Sequence, residues 1–150
     1  MTNSFIKYKF MENLPKITIN QKPIYKKFAE DTDFYELFSR IEAAYEACFL
    51  FESLGEEGKF SRYSVLGFAP KHILSARGTT LFIDGKPYEV ANPYVALREI
   101  LPQPTISQIY AGGLVGYLSY DAVNYCEPSV SVKVHELFDQ FMFGVYTDGL

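Results

Sequence analysis

Leu50-Phe51-Glu52-Ser53, followed by Lys59-Phe60-Ser61-Arg62-Tyr63-Ser64, is the stretch whose side chains could do chemistry. A carboxylate and a hydroxyl close one apolar run, and a lysine and an arginine open the next. If two strands pair there, opposite charges meet at the mouth of a hairpin. Such a mouth can hold a zwitterion. Glu52 would face an ammonium, and Lys59 or a backbone N–H would face a carboxylate, through charge-assisted hydrogen bonds. The plainer reading is a cross-strand ion pair on a solvated edge, which adds little stability. On chemistry alone the plainer reading is favoured.

Other candidates carry less. Ala111-Gly112-Gly113-Leu114-Val115-Gly116-Tyr117 puts glycines before an apolar strand. The spacing is not that of a dinucleotide loop, and no helix follows the last glycine. The glycines are expected to allow close backbone approach between sheets. In Tyr120-Asp121-Ala122-Val123-Asn124-Tyr125-Cys126-Glu127-Pro128, two acids stand at opposite ends of a short helix and make neither a metal site nor an acid/base pair. Asp121 reads as a helix cap. His72 and His135 have no local Cys, Ser or Asp arrangement for a nucleophile or zinc. Catalysis within these 150 residues is not expected.

The elements that must position these residues follow from periodicity. Ile6, Tyr8 and Phe10 alternate with lysines, as in a strand with one wet face. Tyr25 to Ala29 reads as a second short strand. Asp31 to Tyr45 is the clearest helix, with Phe34, Leu37, Phe38, Ile41 and Tyr45 on one stripe and a capping-box pattern at Asp33 and Glu36. Cys48 to Ser53 and Phe60 to Leu66 read as strands around a charged turn, Gly55 to Gly58. Ile73 to Arg77, Thr79 to Ile83 and Lys86 to Val90 form a meander with a hairpin signal at Asp84-Gly85. Asn92-Pro93 opens a helix that stops before Pro102. Gln103 to Gln108 is a loop, Leu114 to Tyr120 a strand, and Ser129 to Val134 an exposed segment.

Leu137 to Tyr146 is almost continuously apolar, as in a strand buried on both faces. It runs into Thr147-Asp148-Gly149, a second Asp-Gly hairpin signal. A hairpin needs a returning strand, and only Leu150 follows. The expectation is therefore a front piece of a longer protein. The predicted class is α+β: mainly antiparallel β-sheets with two or three helices, in one region spanning 1–150.

Composition excludes several classes. Apolar residues make up 48% of the chain, enough for a core, and 13 Phe and 12 Tyr stand beside no Trp. Net charge is −4 and no long basic run occurs, which argues against a nucleic-acid partner. Met1 to Lys16 has no unbroken apolar segment of a secretory leader. The run Ala47 to Phe51 is far too short to span a bilayer. Two distant cysteines, Cys48 and Cys126, fit a reduced, cytoplasmic protein.

Taken in order, these segments resemble a known family. Phe49-Leu50-Phe51-Glu52-Ser53 with Gly58-Lys59-Phe60-Ser61-Arg62-Tyr63-Ser64-Val65-Leu66-Gly67 resembles the "LLES … RYSFIG" signature near the start of anthranilate synthase component I. Gly112-Gly113-Leu114-Val115-Gly116-Tyr117-Leu118-Ser119-Tyr120-Asp121 resembles its "GGLVGYxxYD" segment. Glu127-Pro128 fits too, as does Ile24-Tyr25-Lys26-Lys27 leading to Asp31-Thr32. The likeness covers nearly the whole chain. The ordered set is specific to the chorismate-using family, which also contains aminodeoxychorismate synthase component I and, more distantly, isochorismate synthases.

The resemblance implies a lyase of tryptophan biosynthesis. The full enzyme would convert chorismate and ammonia to anthranilate and pyruvate with Mg²⁺. A glutamine amidotransferase subunit would supply the ammonia. The chorismate and magnesium residues would lie in a C-terminal catalytic domain outside these 150 residues. This region would carry part of the L-tryptophan feedback site: Ser53 first, with Glu52, Lys59 and Leu50 beside it. The far wall would come from the catalytic part. With the family likeness, the zwitterion site becomes the favoured reading of the hairpin mouth. Phe51 departs from the family's smaller aliphatic residue, which puts the pocket's shape in question. The alternatives are the same region of aminodeoxychorismate synthase component I, and a free-standing ligand-binding domain.

Overall fold

The computed structural model describes residues 14–18, 24–27, 33–53, 63–101, 112–127 and 129–150. Helix α1 (Phe34–Ala44) is followed by β1 (Cys48–Phe51), β2 (Val65–Phe68), β3 (His72–Arg77), β4 (Thr80–Ile83) and β5 (Lys86–Glu89). Then come α2 (Pro93–Ile100), β6 (Gly113–Leu118), a 3₁₀ turn (Tyr120–Ala122), the single-turn α3 (Val123–Cys126) and β7 (Phe141–Tyr146). β1 and β2 form one antiparallel sheet, and a second has the order β5-β4-β3-β7-β6. The described residues adopt the expected α+β class, antiparallel with three helices among them.

The chain divides into two compact units. The first holds residues 14–18, 72–101, 116–127 and 129–143, and the second the remaining described residues. In the first unit β3 and β4 pair with Leu74 opposite Ile83 and Ala76 opposite Leu81. These four share one face of the hairpin and are buried, as the period of two requires. Helix α2 buries Pro93, Ala96, Leu97 and Ile100 on one stripe. Its start is as expected: Asn92 accepts the Val95 N–H at 3.1 Å, with Pro93 at the first position. Asp84-Gly85 turns β4 into β5 with both residues at positive φ (51° and 76°). The Asp84 carboxylate also accepts the Ile73 N–H at 2.9 Å and meets His72 Nδ1 at 2.8 Å. The hydrogen bond with His72 and the Ile73 N–H outweigh burial and hold its carboxyl below the usual range.

In the second unit the Asp33 side chain accepts the Glu36 N–H at 2.9 Å and caps α1. The reciprocal half of a capping box is not made, because the Glu36 carboxylate pairs with Arg40 at 2.6 Å. None of α1 is fully buried. Tyr45, just past its end, stacks on Phe68 with centroids 5.0 Å apart.

Several expectations are corrected. Tyr25 to Lys27 are exposed and not a strand. Tyr63 and Ser64 are not strand and β2 begins at Val65, while residues 60–62 of that expected strand lie outside the described residues; β1 stops at Phe51 rather than Ser53. The buried strand expected from Leu137 starts only at Phe141; Leu137 is 81% and Phe138 57% exposed. Asp148-Gly149 is not a turn, since neither residue has positive φ. Gly149 instead bridges Gly67, and Leu150 exchanges both backbone hydrogen bonds with Leu66 (2.9 and 3.0 Å). Extended backbone that completes β2's ladder satisfies more N–H and C=O groups than a turn in which they face water. The expected strand at Ile6–Phe10, the turn at 55–58 and the loop at 103–108 lie outside the described residues.

Candidate functional site

The acidic end of β1 is built by an aromatic anchor. β1 and β2 pair with Phe49 opposite Gly67, Leu50 opposite Leu66 and Phe51 opposite Val65. Phe49 and Phe51 fall on one side of the strand, with rings 4.9 Å apart. Phe49 also meets Tyr146 edge-on at 4.9 Å. Gly67 is a packing requirement, since a Cβ there would run into the Phe49 ring. The anchor pins β1 from inside, so the residues beyond its last pair project from a fixed base.

Those residues are Glu52 and Ser53, both exposed. Among the described residues neither makes a side-chain hydrogen bond or ion pair, which leaves a carboxylate and a hydroxyl available side by side. Leu50 is half-buried. Lys59, expected to complete the mouth, lies outside the described residues. Phe51 is 58% exposed and leans on Phe49, so the larger ring adds an apolar surface next to Glu52 without disturbing the core.

A second polar cluster lies in the first unit, and sequence patterns place it wrongly. Asp121 does not cap a helix. It sits inside the 3₁₀ turn, whose carbonyls at Tyr120 and Asp121 already take the N–H of Val123. Its carboxylate is 4% exposed and accepts from the Ser119 hydroxyl and from the His135 N–H at 3.0 Å. Burial pushes its carboxyl up. The Ser119 and His135 hydrogen bonds and the nearby imidazole more than offset this, and the group titrates below the usual carboxylate range. A carboxyl with a lowered folded value stabilises the fold above its unfolded pKa of about 3.9 and loses that contribution as pH falls through the folded value. We expect Asp121→Asn to be less stable than wild type at neutral pH and to show a flatter loss of stability below about pH 4. Urea unfolding at a series of pH values checks this, and parallel curves for the two proteins would refute it.

Gln140, missed entirely by sequence reasoning, ties this cluster together. It is 1% exposed. Its Oε1 accepts from the Gly78 N–H at 2.8 Å and the Tyr125 hydroxyl at 2.7 Å, and its Nε2 donates to the Asp121 carbonyl at 3.0 Å. The Tyr125 hydroxyl is pushed up to about 12 by partial burial and by the nearby Asp121 and Asp139 charges. The one available signal was a glutamine inside the apolar run Phe138–Phe143, where a polar side chain must find partners. His72 and His135 serve local structure: His72 pairs with Asp84, and the His135 Nδ1 accepts the Leu137 N–H at 3.1 Å.

The glycine segment does allow close approach, but between neighbouring strands of one sheet rather than between sheets. A Cβ on Gly116 would run into the Met142 carbonyl and Phe143 Cα. Among the described residues no three His, Cys, Asp or Glu side chains come together to hold a metal. These described residues do not fit a magnesium site. No described helix is long and apolar enough to cross a membrane.

Comparison with curated proteins defines the class. The chain is similar to synthase components, although no family model matches it. The particular protein it resembles is anthranilate synthase component 1. The protein of that name from Leptospira biflexa is 49% identical over 141 residues, covering 93% of this chain and 30% of that protein. Those from Methanothermobacter marburgensis (34% over 137 residues; 88% and 29%) and Methanothermobacter thermautotrophicus (32% over 142 residues; 92% and 30%) are similar along the same breadth of chain. The chain thus spans under a third of the length of these relatives.

Proposed function

We propose that this chain is the regulatory front region of an anthranilate synthase component 1. In that reading the whole enzyme is a lyase that makes anthranilate and pyruvate from chorismate and ammonia in the cytoplasm. Its Mg²⁺ and chorismate would be held by a catalytic part outside these residues, and a glutaminase subunit would deliver the ammonia. The observation that carries the proposal is the 49% identity to a protein of that name across the ordered motifs. The aminodeoxychorismate alternative gains no support from the relatives' names.

Within this region the end of β1 is the inhibitor half-site. Glu52 meets the tryptophan ammonium, Ser53 hydrogen-bonds the ligand, and Lys59 or a backbone N–H meets its carboxylate. Leu50 and the exposed Phe51 supply apolar contact. The support is that Glu52 and Ser53 stand exposed, next to each other, just past the end of an aromatic-anchored strand. Tryptophan bound against the catalytic part would favour an inactive arrangement by its difference in affinity for two states.

Calorimetric titration of L-tryptophan into the full-length enzyme tests this. Ser53→Arg puts a bulky cation where the ligand sits and is expected to weaken binding by at least about tenfold, or 1.4 kcal/mol. Indistinguishable titrations of the two proteins would remove the site. The 150-residue chain alone, given chorismate, ammonia and Mg²⁺, is expected to develop no anthranilate fluorescence; detectable turnover would place chemistry in this region.

A further inference from the structure

The β3–β4 hairpin carries a cleft on the face turned away from its core residues. Leu74, Ala76 and Leu81 are buried on one face, so by the period of two Ser75 and its cross-strand partner Phe82 turn the other way. With Ile73, Arg77, Gly85 and Asp139 they line a cleft of about 350 Å³. That is the size of a small-molecule site, and an apolar wall bearing a few polar groups is the make-up of one. Arg77 Nη2 meets Asp139 Oδ1 at 3.0 Å, with the two side chains 47% and 21% exposed. This single contact leaves the rest of the guanidinium fork and the second carboxylate oxygen open to a ligand. Ile73 and Phe82 supply the apolar part. Ser75 stands between Ile73 and Arg77 along β3. It is only 8% exposed, and its hydroxyl has no hydrogen-bond partner among the described residues. A hydroxyl buried and left unpaired costs stability, and a ligand that pairs with it removes that cost.

We propose that this cleft binds a free α-amino acid with an apolar side chain. Its carboxylate sits on Arg77 and Ser75, its ammonium on Asp139, and its side chain against Phe82 and Ile73. Charge selects this class. A simple anion placed on Arg77 would face the Asp139 carboxylate, and a simple cation placed on Asp139 would face the guanidinium. A zwitterion satisfies both, through charge-assisted hydrogen bonds. The inference does not rest on the front-region reading: all six lining residues belong to the first unit, whereas Glu52 and Ser53 belong to the second.

The test titrates the nitrogen-15-labelled protein with L-leucine and with L-phenylalanine and follows its backbone amide resonances by NMR. Saturable shifts are expected at Ser75, Arg77, Phe82 and Gly85, with a Kd on the order of 1 mM, because the ligand is small and the cleft open. N-acetyl-L-leucine lacks the ammonium and L-leucinol the carboxylate, and each is expected to bind at least about tenfold more weakly. Arg77→Gln and Ser75→Ala are expected to weaken L-leucine binding by a similar factor. Ser75→Ala also separates binding from folding. The hydroxyl pairs with nothing in the free protein, so this variant should melt within about two degrees of wild type. Shifts that do not saturate, or that are confined to Glu52 and Ser53, would overturn the proposal. Equal binding of N-acetyl-L-leucine would also overturn it, since the occupant would then be a plain carboxylate. A marked loss of stability in Ser75→Ala would do the same, by giving the hydroxyl to the fold.

Discussion

Gln140→Ala is expected to lose about 2–4 kcal/mol of stability, a large effect for a polar side chain. The residue is fully buried, and its side chain makes three hydrogen bonds, to Gly78, Tyr125 and the Asp121 carbonyl. Alanine leaves the Gly78 N–H, the Tyr125 hydroxyl and the Asp121 carbonyl without this partner and opens a cavity. The Tyr125 hydroxyl keeps the Gly78 carbonyl at 2.9 Å and the Asp121 carbonyl keeps the Val123 N–H, so the main cost is the Gly78 N–H, about 1–3 kcal/mol, and the cavity adds to that. The Gly78 bond joins the β3–β4 turn to the start of β7 across 62 residues of sequence. Its loss therefore loosens a long-range closure rather than a local turn. Gln140→Glu discriminates between the parts of the argument. It keeps the acceptor but replaces the donating amide with an oxygen facing the Asp121 carbonyl, so it should also destabilise, and more strongly as pH rises. Thermal melts of the three proteins decide it. A drop on the order of 10 °C for alanine is expected, and a melt within a degree or two of wild type would show that the network contributes little.

Gly116→Ala should be nearly as damaging, for a steric reason. A Cβ at this position meets the Met142 carbonyl and Phe143 Cα, which are backbone atoms and cannot rotate away. The two strands must separate or shift register, and forced overpacking of this kind costs about 1–3 kcal/mol or more. The internal control is three residues upstream. A Cβ on Gly113 meets nothing within 4 Å, and its φ is not in the left-handed region. Gly113→Ala should therefore fall within about 0.5 kcal/mol of wild type. Urea titrations of both variants give the comparison directly. Equal effects at the two positions would mean that the glycines serve chain flexibility and not strand approach.

The residues of the candidate site were legible to different degrees. That a strand ends near Glu52 and Ser53 was readable, because the apolar run Cys48–Phe51 gives way to polar residues, although the expected strand ran two residues too far. That they stand free on an aromatic base was not. The contact of Phe49 with Tyr146 joins positions almost a hundred residues apart, and the space for that ring comes from a glycine on the opposite strand. The buried Asp121 was read as a cap because aspartate before a short helix commonly is one. Its carboxylate went instead to Ser119 and to His135, the latter a partner that only folding brings near.

Two copies of one dipeptide draw the boundary between what sequence and tertiary structure decide. Asp84-Gly85 and Asp148-Gly149 both follow an apolar strand, and both predict a hairpin. The first is one, and its aspartate is held by Ile73 and His72 as well as by its own positive φ. The second stays extended and pairs with β2. By itself the sequence determined whatever depends on a few adjacent residues: the Asp33 and Asn92-Pro93 helix starts, the β3–β5 meander and the order of motifs that carries the likeness to anthranilate synthase component 1. Tertiary structure alone decided which partner each backbone and polar group found across the chain. Local preferences differ by about 1 kcal/mol or less, and a buried ladder or hydrogen-bond network outweighs them.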